Sequence, residues 1–94
     1  MASIESIARV LGINIKDVER RALRALIYEE LRSIRAEKIL ILTRYGVREF
    51  SELWRKVEEG TIDDTMAHDD IVRLDYLEHW EKELERILKE LEEK

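Results

Sequence analysis

A chain of 94 residues with 45% hydrophobic and 41% charged content holds enough apolar material for narrow helical stripes in one compact domain, spanning 1–94, and not for a second. Continuous apolar sequence reaches only four residues at Ile39-Leu40-Ile41-Leu42, far from the roughly 20 that a membrane span needs. No cysteine is present to form a disulfide framework, and Met1-Ala2-Ser3-Ile4-Glu5 lacks the basic flank and apolar stretch of a secretory signal, so a cytoplasmic location is expected.

The net charge of −5 is unevenly spread: residues 1–50 carry ten Lys/Arg against seven Asp/Glu, and residues 51–94 carry seven against fifteen. A mildly basic front tolerates a phosphate backbone, and an acidic back suits a basic protein partner. Solvated helix accounts for such charge equally well. The absence of proline and glutamine, with Ile, Leu, Glu and Arg abundant, suits a heat-tolerant helical protein laced with surface ion pairs.

In chain order, Ser3 is placed to cap a short helix over 4–11, with Ile4, Ile7, Ala8 and Leu11 on one face and Gly12 at its end. Asn14 then caps a second helix with Asp17 at N3, and Ile13 and Val18 are spaced as a hydrophobic staple. Nothing breaks this helix before Gly46, so it is predicted over about 15–45. Its apolar stripe is Leu23, Ile27, Leu31, Ile34, Ile41 and Tyr45, interrupted at Lys38. Around Ile39–Leu42 the apolar surface widens, which calls for contact on two sides.

Phe50, Leu53, Trp54 and Val57 mark a third helix over about 49–59, with Trp54 expected to plug the core and Gly60 as the stop. Asp64 or Thr65 can cap a fourth helix, about 65–92. Leu77, Trp80, Leu84, Ile87 and Leu91 repeat there at steps of three and four, extended backward by Leu74 and Ile71, in the pattern of a coiled-coil seam. Glu78 with Lys82 and Glu85 with Lys89 are spaced for pairing along the helix. The expected fold is all-α: two long antiparallel helices with a short N-terminal and a short connecting helix, in a homodimeric bundle that buries the apolar area left over.

Residues 6–18, with Ala8 four positions before Gly12 and aliphatic residues around a tight turn, resemble a helix-turn-helix. On that reading Asn14, Lys16, Arg20 and Arg21 face nucleic acid and Arg24 reaches phosphate. The polar Arg21, where the motif favours an apolar residue, departs from it, and an ordinary helical corner needs the same glycine, cap and staple. His68, Asp69, Asp70, Asp75 and His79 offer metal-ligand chemistry, and Asp75 and His79 share a helix face, but His68 falls near the helix start and no cysteine or second close histidine completes a set, so no metal site is expected. The acidic pairs Asp63-Asp64 and Asp69-Asp70 are better placed to favour the N-terminus of the fourth helix. The serines are scattered, and the three glycines fall at predicted helix ends with no phosphate-cradling loop. Neither a cofactor nor an enzymatic activity is therefore expected.

The stretch Ile41 to Leu53, with Tyr45-Gly46 and Phe50-Ser51-Glu52-Leu53, then Glu59-Gly60 and the acidic run into Asp75-Tyr76-Leu77-Glu78, resembles small archaeal antitoxin-like proteins over roughly residues 31–80. The resemblance implies a type II toxin-antitoxin role, in which the protein masks a toxin and helps repress its own operon. A basic toxin surface would then meet Asp69, Asp70, Asp75, Tyr76 and Trp80, with the aromatic rings as anchors. The N-terminal corner and the long charged C-terminal helix depart from that family's pattern. A self-associating structural module is the further alternative.

Overall fold

The computed structural model describes residues 2–93, which form four helices: α1 (Ile4–Leu11), α2 (Ile15–Arg44), α3 (Phe50–Glu58) and α4 (Asp64–Glu92). Local chemistry accounts for the boundaries. The Ser3 hydroxyl accepts from the Ser6 amide at 3.1 Å, and the Asn14 side chain accepts from the Asp17 amide at 2.8 Å. Asp63, rather than Asp64 or Thr65, caps α4 by accepting from the Thr65 amide at 2.9 Å. Gly12 takes a left-handed conformation, with φ of 69°, and lets the Ile13 amide close on the Ala8 carbonyl at 3.1 Å.

α2 and α4 lie antiparallel. Arg44 meets Asp70 near the turn, and the Tyr28 hydroxyl donates to Glu92 at the far end, 3.0 Å away. Between these ends the seam contains a charged layer. Lys38 Nζ lies 2.8 Å from Glu81 and 2.9 Å from Glu78, and Arg35 bonds Glu81 at 2.8 Å and Glu85 at 2.9 Å. The side chains of Lys38 and Glu81 are only 16% and 15% exposed. Burial raises the Glu81 pKa, but hydrogen bonds from Lys38 and Arg35 outweigh it and hold the carboxyl below its usual range. For Lys38, burial acts downward and the two glutamates more than reverse it.

These contacts correct the expectation of pairing along α4. Glu78 and Glu85 reach across to α2 instead of to Lys82 and Lys89, because Lys38 and Arg35 stand directly opposite. Two cations of the basic half and three acids of the acidic half are thereby paired inside the hairpin.

The core is massed at the closed end of the hairpin, where Ile34, Ile41, Leu42, Val47, Leu53, Ala67, Ile71, Leu74 and Leu77 form one buried cluster. Ile27 and Leu31 extend the α2 stripe, but its expected first member, Leu23, is 49% exposed. The widened surface at 39–42 is half used: Ile41 and Leu42 are buried, and Ile39 and Leu40 are exposed. Trp54 does not plug the core. Leu53 is fully buried instead, and Trp54 stays 44% exposed beside Phe50. On α4 the inward face is Ala67, Ile71, Leu74 and Leu77, continuing through the half-buried Glu81 and Leu88. Trp80 and Ile87 of the expected seam point outward because Glu81 takes the inward position opposite Lys38.

The long helices are offset. Glu92, at the end of α4, is level with Tyr28, so residues 15–27 of α2, about 20 Å of helix, run on past α4 with only α1 beside them. Ala8 and Val18 are buried where α1 packs on this overhang, and Ile27 is buried at its inner end. The molecule is correspondingly extended, 60 × 29 × 16 Å with a radius of gyration of 19.0 Å, against about 12 Å for a compact chain of this length.

Replacing Lys38 by methionine keeps the apolar stem but leaves Glu81 with the exposed Arg35 as its remaining cation across the seam. A loss of about 2 kcal/mol is expected in urea unfolding at fixed protein concentration. Arg35→Ala, at a side chain half in water, should lose less than about 1 kcal/mol.

Candidate functional site

Two surfaces concentrate the residues singled out above. The first lies where α3 folds against α4. Phe50 and Trp54, one turn apart on α3, and Tyr76 on α4 wall an open cleft of about 330 Å³ whose rim carries Asp64, His68 and Asp75. Burial of Leu53 against the hairpin core turns the other side of α3 outward and sets this wall in place. Tyr76 stacks on Trp80 with ring centroids 5.7 Å apart, and the Arg73 guanidinium lies 5.5 Å from the centre of the Trp80 ring. Arg73 also bonds Glu37 of α2, with Nη2 at 2.9 Å, and that hydrogen bond holds the Glu37 carboxyl below its ordinary pKa.

Of the five residues expected to meet a protein partner, Asp75 and Tyr76 line this cleft, and Trp80 adjoins it through the Tyr76 stack. Asp69 is exposed elsewhere on α4. Asp70 is turned inward: it accepts the Tyr45 hydroxyl and bonds Arg44 at 3.2 Å, so its charge is already engaged within the molecule. Asp64 and Asp75 make no ion pair among the described residues. Sequence reasoning missed Phe50, Trp54 and Asp64, because an aromatic pair at i,i+4 on a short helix reads as core. Leu53 between them takes the fully buried position, with Phe50 and Val57 packed half-buried against the core and Trp54 left exposed.

The second surface is the N-terminal corner. Lys16, Arg20 and Arg24 follow one another at four-residue steps on one face of α2, with Arg21 beside them. Val18, two residues from both Lys16 and Arg20, is buried on the side where α1 packs, so this basic row faces away from α1. None of the four cations makes an ion pair among the described residues. Asn14 is spent on the cap of α2.

A larger open trough of about 730 Å³ between α2 and α3 is lined in part by Lys38 and Glu78, which pair with each other, and by Arg35, which pairs with Glu81 and Glu85. Among the described residues no three His, Asp or Glu side chains converge as a metal site would require, and no helix is long and apolar enough to cross a membrane.

An all-helical hairpin with an aromatic, acid-rimmed cleft and a separate basic row is thus the class of molecule in view. The chain belongs to the family described as Uncharacterized protein MJ0235 family, whose model matches residues 1–94. It is similar to Uncharacterized protein MJ0235 of Methanocaldococcus jannaschii, with 31% identity over 72 residues that cover 77% of this chain and 84% of the relative. No solved structure matches it.

The different placements of the adjacent acids give a direct check. Asp70→Asn should cost about 1 kcal/mol of stability by weakening the Arg44 and Tyr45 contacts. Asp69→Asn should stay within about 0.5 kcal/mol of the parent. Equal effects in thermal unfolding would contradict the inward role of Asp70.

Proposed function

We propose that the protein is a non-enzymatic protein-binding module that works as a homodimer and holds a basic protein partner in the cleft between α3 and α4. The observation that carries the reading is the pairing of aromatic walls with unpaired acids: the exposed Trp54 and Tyr76 and the half-buried Phe50 beside Asp64 and Asp75. A lysine or arginine side chain fits such a site. Aromatic faces attract its cation, the carboxylates neutralise it, and its aliphatic stem covers apolar ring surface. Aromatic anchors of this kind carry much of the binding energy in protein interfaces, and the acids steer a basic surface toward them. The antitoxin role implied by the resemblance is the form this reading takes if the partner is a toxin.

The test is co-expression with the products of adjacent genes, followed by affinity measurement on any heteromeric complex. Trp54→Ala and Tyr76→Ala should each weaken that complex by about 10-fold or more. Asp64→Asn with Asp75→Asn should slow association and flatten its salt dependence. A complex indifferent to all four changes would place the partner elsewhere.

A second reading is supported by the basic row of Lys16, Arg20 and Arg24: the corner binds duplex DNA, with α2 presented by α1 in the manner of a helix-turn-helix. Fluorescence anisotropy with duplex DNA should then show salt-dependent binding whose slope falls by about 2 in Arg20→Ala/Arg24→Ala. No binding at low salt would reject it.

A further inference from the structure

The hairpin has one long side that nothing covers. On α2 that side runs through the exposed Leu23, Leu26 and Glu30 and the half-buried Glu37, with Ile34 of the core at its floor. On α4 its exposed members are Trp80 and Ile87, edged by the half-buried Leu91 and by Leu84, which also packs against the core. Where the two rows face each other, Glu30, Ile34, Trp80, Glu83 and Leu84 form a groove of about 320 Å³. Arg73, paired with Glu37 and set over Trp80, closes its upper end. Past the end of α4 the apolar surface continues onto the overhang, where Ile4, Ile7, Leu11, Ile15, Leu23 and Leu26 are all more than 40% exposed.

We infer that a second copy of the chain covers this side, with the α1–α2 overhang of each copy seated in the α2/α4 groove of the other. This deepens the homodimer reading above and rests on it. The first argument is area. The accessible surface is 7344 Å², whereas a compact monomer of 11.3 kDa exposes about 5,700 Å². Two copies together thus hold about 3,200 Å² in excess, within the range of obligate homodimer interfaces. A foreign partner would not remove that excess symmetrically, but a two-fold pairing uses the same patch twice.

The second argument is length. The overhang, residues 15–27, and the stretch of α4 beside the groove, residues 80–92, are thirteen residues each, so one spans the other. With the two α2 helices antiparallel about an axis near Leu26, the overhang of one copy runs alongside α4 of the other. Leu23 then falls near the partner copy's groove at the level of Ile87. A helix bundle of α2 and α4 from one chain with α1 and α2 from the other is completed at both ends.

The third argument is charge. Residues 4–27 carry five basic and three acidic side chains, and residues 78–93 carry three basic and seven acidic. The proposed pairing sets a positive segment beside a negative one. Two overhangs meeting through their basic rows instead would bring Lys16, Arg20 and Arg24 of both copies together, which repulsion disfavours. The apolar side of the overhang, rather than its basic row, therefore enters the groove.

Light scattering and sedimentation on the intact chain test this. The wild type should have twice the chain mass. Leu23→Glu/Leu26→Glu and, from the groove side, Ile87→Glu should each raise the dimer dissociation constant by about 100-fold or more, with helical circular dichroism retained because all three positions face solvent in the single chain. Ile39→Glu, on the opposite side of α2, should leave the dimer intact. Since the chain has no cysteine, an equimolar mixture of Leu23→Cys and Ile87→Cys proteins should form a disulfide between unlike chains on oxidation. A dimer that survives Leu23→Glu/Leu26→Glu and gives no such cross-link would overturn this arrangement and leave the homodimer standing. A monomer at every concentration would overturn both.

Discussion

Lys38 occupies the position where the apolar stripe of α2 would otherwise place an aliphatic residue, and Glu78 and Glu81 come from α4 to meet it. Much of the arrangement depends on that layer. Apolar side chains at three-and-four spacing tolerate a slip of one helical turn, since one leucine replaces another at little cost. A half-buried ammonium does not: displaced by a turn, Lys38 would face Leu74 or Leu84, and Glu81 would be left in the seam without a counter-charge. The layer therefore selects one register of the antiparallel pair, and Arg44–Asp70 and Tyr28–Glu92 follow at the two ends.

With the register set, the offset of the helices becomes unavoidable. α2 and α4 are nearly equal in length, but the connection through α3 and the position of the charged layer bring Glu92 only as far as Tyr28. The first turns of α2 are left beyond the hairpin, and α1 is too short to enclose them. At the closed end the opposite holds: Val47, Leu53 and Ala67 complete a core with both long helices, and α3 is held firmly enough for Phe50 and Trp54 to form a fixed wall. One interaction in the seam thus separates a well-packed end that presents a cleft from an open end that presents apolar helix.

The sequence was most legible where single residues punctuate it. Gly12, Gly46 and Gly60 adopt positive φ at or just beyond the helix ends, Ser3 and Asn14 cap as their chemistry demands, and each helix boundary falls within a residue of expectation. The phase of α4 was legible in part: of the stripe that periodicity marks, Ile71, Leu74 and Leu77 are buried and Leu84 and Leu91 half-buried, but Trp80 and Ile87 turn outward. Glu81 marked the inner stripe, but a glutamate counts against burial until Lys38 and Arg35 are known to stand opposite. For the same reason Glu78 and Glu85 seemed destined for lysines one turn along. Pattern within a helix carries no information about which cation a neighbouring helix will bring closer.

The candidate sites divide along the same line. Asp75, Tyr76 and Trp80 came forward through the family resemblance, whereas periodicity alone assigned Trp80 to the seam. Phe50 and Trp54 did not, since the exposure of Trp54 depends on Leu53 taking the core position, and Phe50 divides its ring between core and cleft. Asp70 illustrates the converse: its neighbour Asp69 has the same chemistry, and only the 100° between successive helical residues turns one toward Arg44 and Tyr45 and leaves the other in solvent. Composition supplies acids and aromatic rings on α4, but the hairpin register decides which of them are consumed in holding the molecule together. Those left over on the closed end are an aromatic cleft with two unpaired carboxylates, and those left over on the open side are apolar residues interspersed with glutamates. A surface of the first kind selects a partner by charge, whereas one of the second kind is stable in water only when another helix lies on it.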